Sequence, residues 1–150
     1  MKKLIAVLAA VGMMFTSVDS FAATEKEKAF TDAYKKAFES KDETTLKNFL
    51  YTQGADPTAL EFYTMMMTAE MGSTISSIEL RDLSAEDSKK ANEMQPLPDG
   101  TNAKLVLAPT KKLVYKVETK DANGSSSSTS ESFVAEHNGK FVIPVPGPVH

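Results

Sequence analysis

Between Met71 and Thr74 the spacing of apolar side chains changes, and that change constrains the fold more than any other feature of the chain. Before it, apolar residues recur every three or four positions. After it, they recur every second position. The first spacing lays side chains along one stripe of an α-helix, and the second along one face of a β-strand. Helices therefore come first and strands second. That segregation predicts an α+β fold, with N-terminal helices packed on an antiparallel sheet.

The helical half divides at its caps. Thr24 is placed to cap a first helix, with Glu27 three residues on completing a capping box. Phe30, Ala33, Tyr34, Ala37 and Phe38 form its apolar stripe, with Lys35, Lys36 and Glu39 on the wet side and an end near Ser40. Asp42 opens a shorter helix with Leu46, Phe49 and Leu50 turned inward, and Gly54 closes that region. Asp56-Pro57 opens a third helix, because proline at the first helical position lacks only an N–H that would be unpaired anyway. Leu60, Tyr63, Met67 and Met71 form its stripe, Phe62 and Met66 lie beside it, and Gly72 is the expected stop.

In the second half, Thr74 to Leu83 reads as a half-exposed strand. Ser84 to Asp87 reads as a capped turn into a short polar helix ending near Glu93. Pro96, Pro98, Asp99 and Gly100 mark a loop, and Ala103 to Leu107 a strand ended by Pro109. Leu113, Tyr115, Val117 and Thr119 alternate with Val114, Lys116 and Glu118. A turn at Asp121 to Gly124 leads to an extended run, Ser125 to Glu136, in which Phe133 and Ala135 face alike. A second turn, His137 to Lys140, leads to Phe141, Ile143 and Val145. Pro144, Pro146 and Pro148 then end the sheet, since proline cannot donate to a ladder. The four strands after Ala103 are expected to form a meander, with the Thr74 strand pairing elsewhere. No internal repeat is visible, and residues 23–150 read as one domain.

Residues 1–22 read as an address label. Lys2 and Lys3 are followed by an apolar run from Leu4 to Phe15, then by Ser20-Phe21-Ala22, a small-x-small cleavage signal. The run is shorter than the roughly 20 residues needed to cross a bilayer, and no membrane span is expected in the mature chain. A cleaved signal peptide of bacterial type places the product in the periplasm or the medium. The chain has no cysteine, so a lipid anchor on cysteine, disulfides and thiolate metal sites are excluded. A net charge of −3 offers no basic face for nucleic acid.

The segment Phe30-Thr31-Asp32-Ala33-Tyr34-Lys35-Lys36-Ala37-Phe38-Glu39-Ser40-Lys41-Asp42, followed by Leu46, Phe49 and Tyr51, resembles the start of the nuclear transport factor 2-like superfamily, also called SnoaL-like or cystatin-like. Gly139 to Pro144 resembles its closing strand. The resemblance spans Ala23 to Val145. It implies a cone-like arrangement, with a pocket between a long helix and the concave face of a curved sheet. It also implies a range of roles that includes isomerases, dehydratases, ligand binders and dimerisation modules, so fold alone does not select a function.

Catalytic signals are sparse. His137 sits in an apparent turn and reads as solvated, and His150 is the last residue given. Asp32 lies off the apolar stripe of the first helix. No metal-ligand spacing, phosphate loop or nucleophile elbow occurs, and the serines from Ser125 to Ser130 read as a polar outer strand. No metal and no cofactor are expected. Met65-Met66-Met67 with Met71 is the most unusual local feature. Core packing is its ordinary explanation, but three successive methionines cannot all face inward. Tyr34, Phe62, Tyr63 and Met66 are the candidate pocket residues, since apolar walls with a phenol suit a small-ligand cavity. The expected role is an exported, non-catalytic binding or accessory module for a small apolar ligand. The alternatives are a small pocket enzyme of isomerase or hydrolase type, or a module that homodimerises through apolar residues such as Val114 and Val142 on the outer sheet face.

Overall fold

Local hydrogen bonds at the helix ends account for where the first elements begin and stop. The computed structural model describes residues 24–149, so the export segment read in residues 1–22 and His150 lie outside the described residues. Helix α1 (Glu25–Glu39) is capped by Thr24, whose hydroxyl accepts from the Glu27 N–H at 3.1 Å. The Glu27 carboxylate faces Lys111, 3.5 Å away. The α1 stripe buries Phe30, Thr31, Tyr34, Ala37 and Phe38, whereas Ala33 is exposed. Thr31 tolerates burial because its hydroxyl donates to the Lys28 carbonyl at 3.1 Å. Lys41 then turns the chain with φ of 59°, and Asp42 caps α2 (Glu43–Lys47) by accepting from the Thr45 N–H. Leu50–Tyr51 form the short strand β1.

Asp56 caps α3 (Pro57–Thr68), accepting from the Thr58 and Ala59 N–H groups at 2.8 and 3.0 Å. The helix stops at Thr68 instead of running to Gly72. Gly72 instead adopts φ of 90° and donates its N–H to the Phe38 carbonyl at 2.8 Å, tying the exit of α3 to the end of α1. Strand β2 (Thr74–Asp82) follows, then α4 (Ala85–Ala91), whose Ser84–Asp87 capping box is complete in both directions. The remaining strands are β3 (Gln95–Pro96), β4 (Asn102–Leu105), β5 (Lys111–Asp121), β6 (Gly124–His137), β7 (Lys140–Pro144) and β8 (Pro146–Pro148). Among the described residues no helix is long and apolar enough to cross a membrane.

The fold is α+β, but its strand pairing departs from the expected meander. The main sheet has the order β1-β7-β6-β5-β2, with β1 parallel to β7 and the other pairs antiparallel. The Thr74 strand is thus the neighbour of β5, in the place expected for the Ala103 strand. That strand, β4, instead joins a second sheet of order β3-β4-β8. The prolines do not simply end the chain's pairing. Ile143 and Val145 donate their N–H groups to the carbonyls of Phe49 and Tyr51, so the nitrogen of residue 144 faces β6. Proline there stops the β6 ladder and leaves the β1 ladder intact. Further on, Gly147 pairs with Lys104, and Val149 donates to Asn102. Placed at alternate positions, the prolines let one extended segment leave the first sheet and enter the second.

The core lies between the helices and the main sheet. Register places Ile75, Ile78 and Leu80 of β2, Leu113, Tyr115 and Val117 of β5, and Val134 of β6 on the helix-covered face. The α1 aromatics interlock with this face. Ring centroids lie 5.7 Å apart for Phe30–Phe141, 5.4 Å for Tyr34–Tyr115 and 5.8 Å for Phe38–Tyr115, all tilted or edge-on. Such pairs add about 0.5–1.5 kcal/mol each beyond area burial.

Gly147 marks a close backbone crossing. A Cβ there would meet the Gly54 carbonyl oxygen and lie 2.7 Å from Val106 Cγ1, in a loop already fixed by the Asp56 N–H donating to the Pro146 carbonyl at 2.9 Å. Gly147→Ala is therefore expected to lower unfolding free energy by about 1–3 kcal/mol, read from the midpoint of a urea titration. Asp56→Ala, which removes the α3 cap, is expected to cost about 1 kcal/mol in the same titration.

Candidate functional site

The face of β6 beneath the helices carries hydroxyls as far as Ser132 and turns apolar at Val134. Ser128, Ser130 and Ser132 stand opposite Val117, Tyr115 and Leu113, so an apolar row in β5 has a polar row beside it. Helix α3 has α2 and β8 as its nearest neighbours and does not pack tightly on β6. Side chains of α3, α1 and the sheet therefore enclose a hollow. Outside the lining of the hollow, the Ser128 hydroxyl donates to the Glu70 carboxylate at 3.1 and 3.2 Å.

The hollow totals about 370 Å³, and its lining includes all four residues singled out in the sequence: Tyr34, Phe62, Tyr63 and Met66. Met67 completes the α3 side, and Tyr115, Ser130, Ser132 and Ile143 form the floor. The methionine run splits as its spacing requires. Met67 is buried at 7% exposure, while Met65 and Met66 are each 59% exposed. Phe62 is 49% exposed. The α3 side of the hollow is thus apolar, its floor carries hydroxyls, and Asp87, Lys90 and Gln95 also border it.

Tyr34 and Tyr115 meet at the base, with hydroxyl oxygens 3.4 Å apart. Burial, then the neighbouring Tyr115, pushes the Tyr34 phenol far above its ordinary range. Burial also raises the Tyr63 phenol. Both remain neutral hydrogen-bonding groups at any ordinary pH.

Lys112, Glu131 and Phe133 also border the hollow, but strand alternation turns them to the opposite face of the sheet from Tyr115, Ser130 and Ser132. There Lys112 lies 3.2 Å from Asp87 of α4 and 3.5 Å from Glu131. The backbone N–H of Ser84, then its hydroxyl, then Lys112 hold the Asp87 carboxyl below its usual range. Both carboxylates bordering the hollow thus have a cation, and neither is an isolated carboxyl of the kind that proton abstraction needs.

Other sequence candidates lie elsewhere. His137 is the last residue of β6 rather than a solvated turn residue. Its ring meets Tyr51 edge-on at 4.8 Å, half-buried and outside the lining of the hollow. Asn138 and Gly139 carry the turn, with φ of 52° and 76°. Asp32 is exposed on α1. Val114, expected on an exposed outer face, is buried at 7% exposure, and Val142 is half-buried. Among the described residues, the large exposed apolar groups are instead Phe62, Met65, Met66, Met94 and Val149. Among the described residues, no group of three or more His, Cys, Asp or Glu is placed to hold a metal ion.

Sequence reasoning missed the floor. Tyr115, Ser130, Ser132 and Ile143 come from three strands whose register is set by pairing. One signal was present: a long strand whose alternate positions are serine through Ser132 and apolar only at Val134 has no apolar face for part of its length.

The Asp87 bonds make α4 sensitive to acid. A carboxyl whose pKa is depressed on folding contributes stability above its unfolded value and loses it as pH falls through the folded one. Amide exchange in α4 is therefore expected to accelerate below about pH 4, and Asp87→Ala should reproduce that acceleration at pH 7. No family model matches the chain, and neither a curated protein nor a solved structure matches it.

Proposed function

We propose that this protein is an exported binding or accessory module that holds a small, largely apolar molecule between α3 and the main sheet. The observation that carries the reading is the hollow itself, with walls of Tyr34, Phe62, Tyr63 and Met66 over a floor of Tyr115, Ser130 and Ser132. A concave site with aromatic and apolar walls and a few fixed polar groups is the usual form of a small-molecule site. Exposed methionines at its mouth can repack around differently shaped guests. The pairing of both bordering carboxylates with Lys112 favours binding over proton-transfer chemistry. Helices packed on a sheet with a hollow between them also agree with membership of the nuclear transport factor 2-like superfamily, which we propose on the resemblance of the α1 segment. The proposed site of action is the periplasm or the medium, on the strength of residues 1–22.

A second reading rests on how exposed the same helix is. Phe62, Met65 and Met66 share one side of α3 at three- and four-residue spacing and are exposed. Such a stripe suits a homodimer contact.

Native mass spectrometry of the chain from Ala23 onward, purified gently from its own host, separates the two. The binding reading expects a retained small-molecule mass that disappears in Ser130→Phe, which fills the floor of the hollow. A dimer without adduct, dissociated by Met65→Glu, would replace it with the second reading. A bare monomer would overturn both.

A further inference from the structure

We infer that the guest in this hollow carries a neutral acceptor oxygen, such as a ketone, ester or amide carbonyl, which the Tyr34 and Tyr115 hydroxyls hold together. The inference rests on the pocket reading above and adds the chemistry of the ligand to it. Two observations carry it, the state of the phenol pair and the placement of charge around it.

Tyr34 is 1% exposed and Tyr115 is 6% exposed, and both border the hollow. Two hydroxyls bring two protons, and one contact between them uses a single proton. No other hydrogen bond to either hydroxyl is present among the described residues. One of the two O–H protons is therefore not used within the pair and is available to an acceptor seated at the base of the hollow. Their mutual contact is also weak. At 3.4 Å it is longer than the usual 2.5–3.0 Å of a hydroxyl pair. An oxygen seated about 2.7 Å from each could receive both protons at once. Burial fixes the geometry further, since Tyr34 also packs on Phe49 at 5.6 Å and Tyr115 on Phe38 at 5.8 Å.

Charge decides that the oxygen is neutral. The cations bordering the hollow are Lys90 and Lys112. Lys112 is engaged by Asp87 and Glu131 across the sheet from the phenols, and Lys90 by Glu86 at 3.0 Å. A carboxylate or phosphate at the phenol pair would be buried without a counter-ion, which is costly. A carbonyl oxygen on an apolar frame meets no such penalty.

The test uses two probes of nearly equal shape, 2-acetylnaphthalene, which has a carbonyl, and 2-ethylnaphthalene, which lacks one. Their affinities are measured by equilibrium dialysis on the wild type and on the double variant Y34F/Y115F. Replacing both partners by apolar isosteres leaves packing nearly unchanged. The ketone-to-hydrocarbon affinity ratio is expected to fall about tenfold in the double variant, with the hydrocarbon affinity held or increased. If the double variant does not fold, the single variants Tyr34→Phe and Tyr115→Phe should each lower the ratio by a smaller factor. An unchanged ratio, with both probes binding, would overturn the carbonyl inference and leave the pocket reading standing. If neither probe binds the wild type, both fall.

Discussion

The contact between the aromatic stripe of α1 and the inner face of the sheet organises this protein. Phe30, Tyr34 and Phe38 recur at four-residue intervals and reach Phe141 of β7 and Tyr115 of β5, two strands separated by β6. The helix thereby fixes its position over three strands of the sheet at once. The same rings that stabilise the core also build the base of the hollow, so packing and site chemistry share residues here.

The second constraint is the route of the chain after β7. A strand needs an N–H at alternate positions on the side where it pairs, and the proline spacing supplies that on one side while denying it on the other. The outcome is a parallel ladder with β1, a truncated ladder with β6, and a continuation into the three-stranded sheet. Gly147 belongs to the same solution, because only a residue without a side chain lets the Gly54 loop pass so closely.

What the sequence discloses follows the range of the interactions involved. Helix starts at Thr24, Asp42, Asp56 and Ser84 are legible because each cap bonds within three residues. Tyr34, Phe62, Tyr63 and Met66, chosen in the sequence as aromatic and methionine side chains of two helices, all border the hollow. Partner choice between strands is not local. The spacing that marks Ala103 to Leu105 as a strand says nothing about whether it meets β5 or β8, and two prolines hide the fact that residues 146–148 pair at all. The Tyr34–Tyr115 approach spans 81 positions and depends on every register between them. Gly72 shows the converse, a local stop signal whose actual use is a distant bond to Phe38.

The parallel ladder between β1 and β7 has a consequence for how the chain comes together. Leu50 finds its partner only when Ile143 exists, and Lys26 meets Glu136 across 110 positions. Each such closure must be made before the contacts it encloses can reward it, which slows folding in chains dominated by distant pairings. During synthesis the helices can form early, but their apolar stripes have no sheet to rest on until the segment from β5 to β8 has emerged. A chain of this design stays open and threadable until almost its whole length is available.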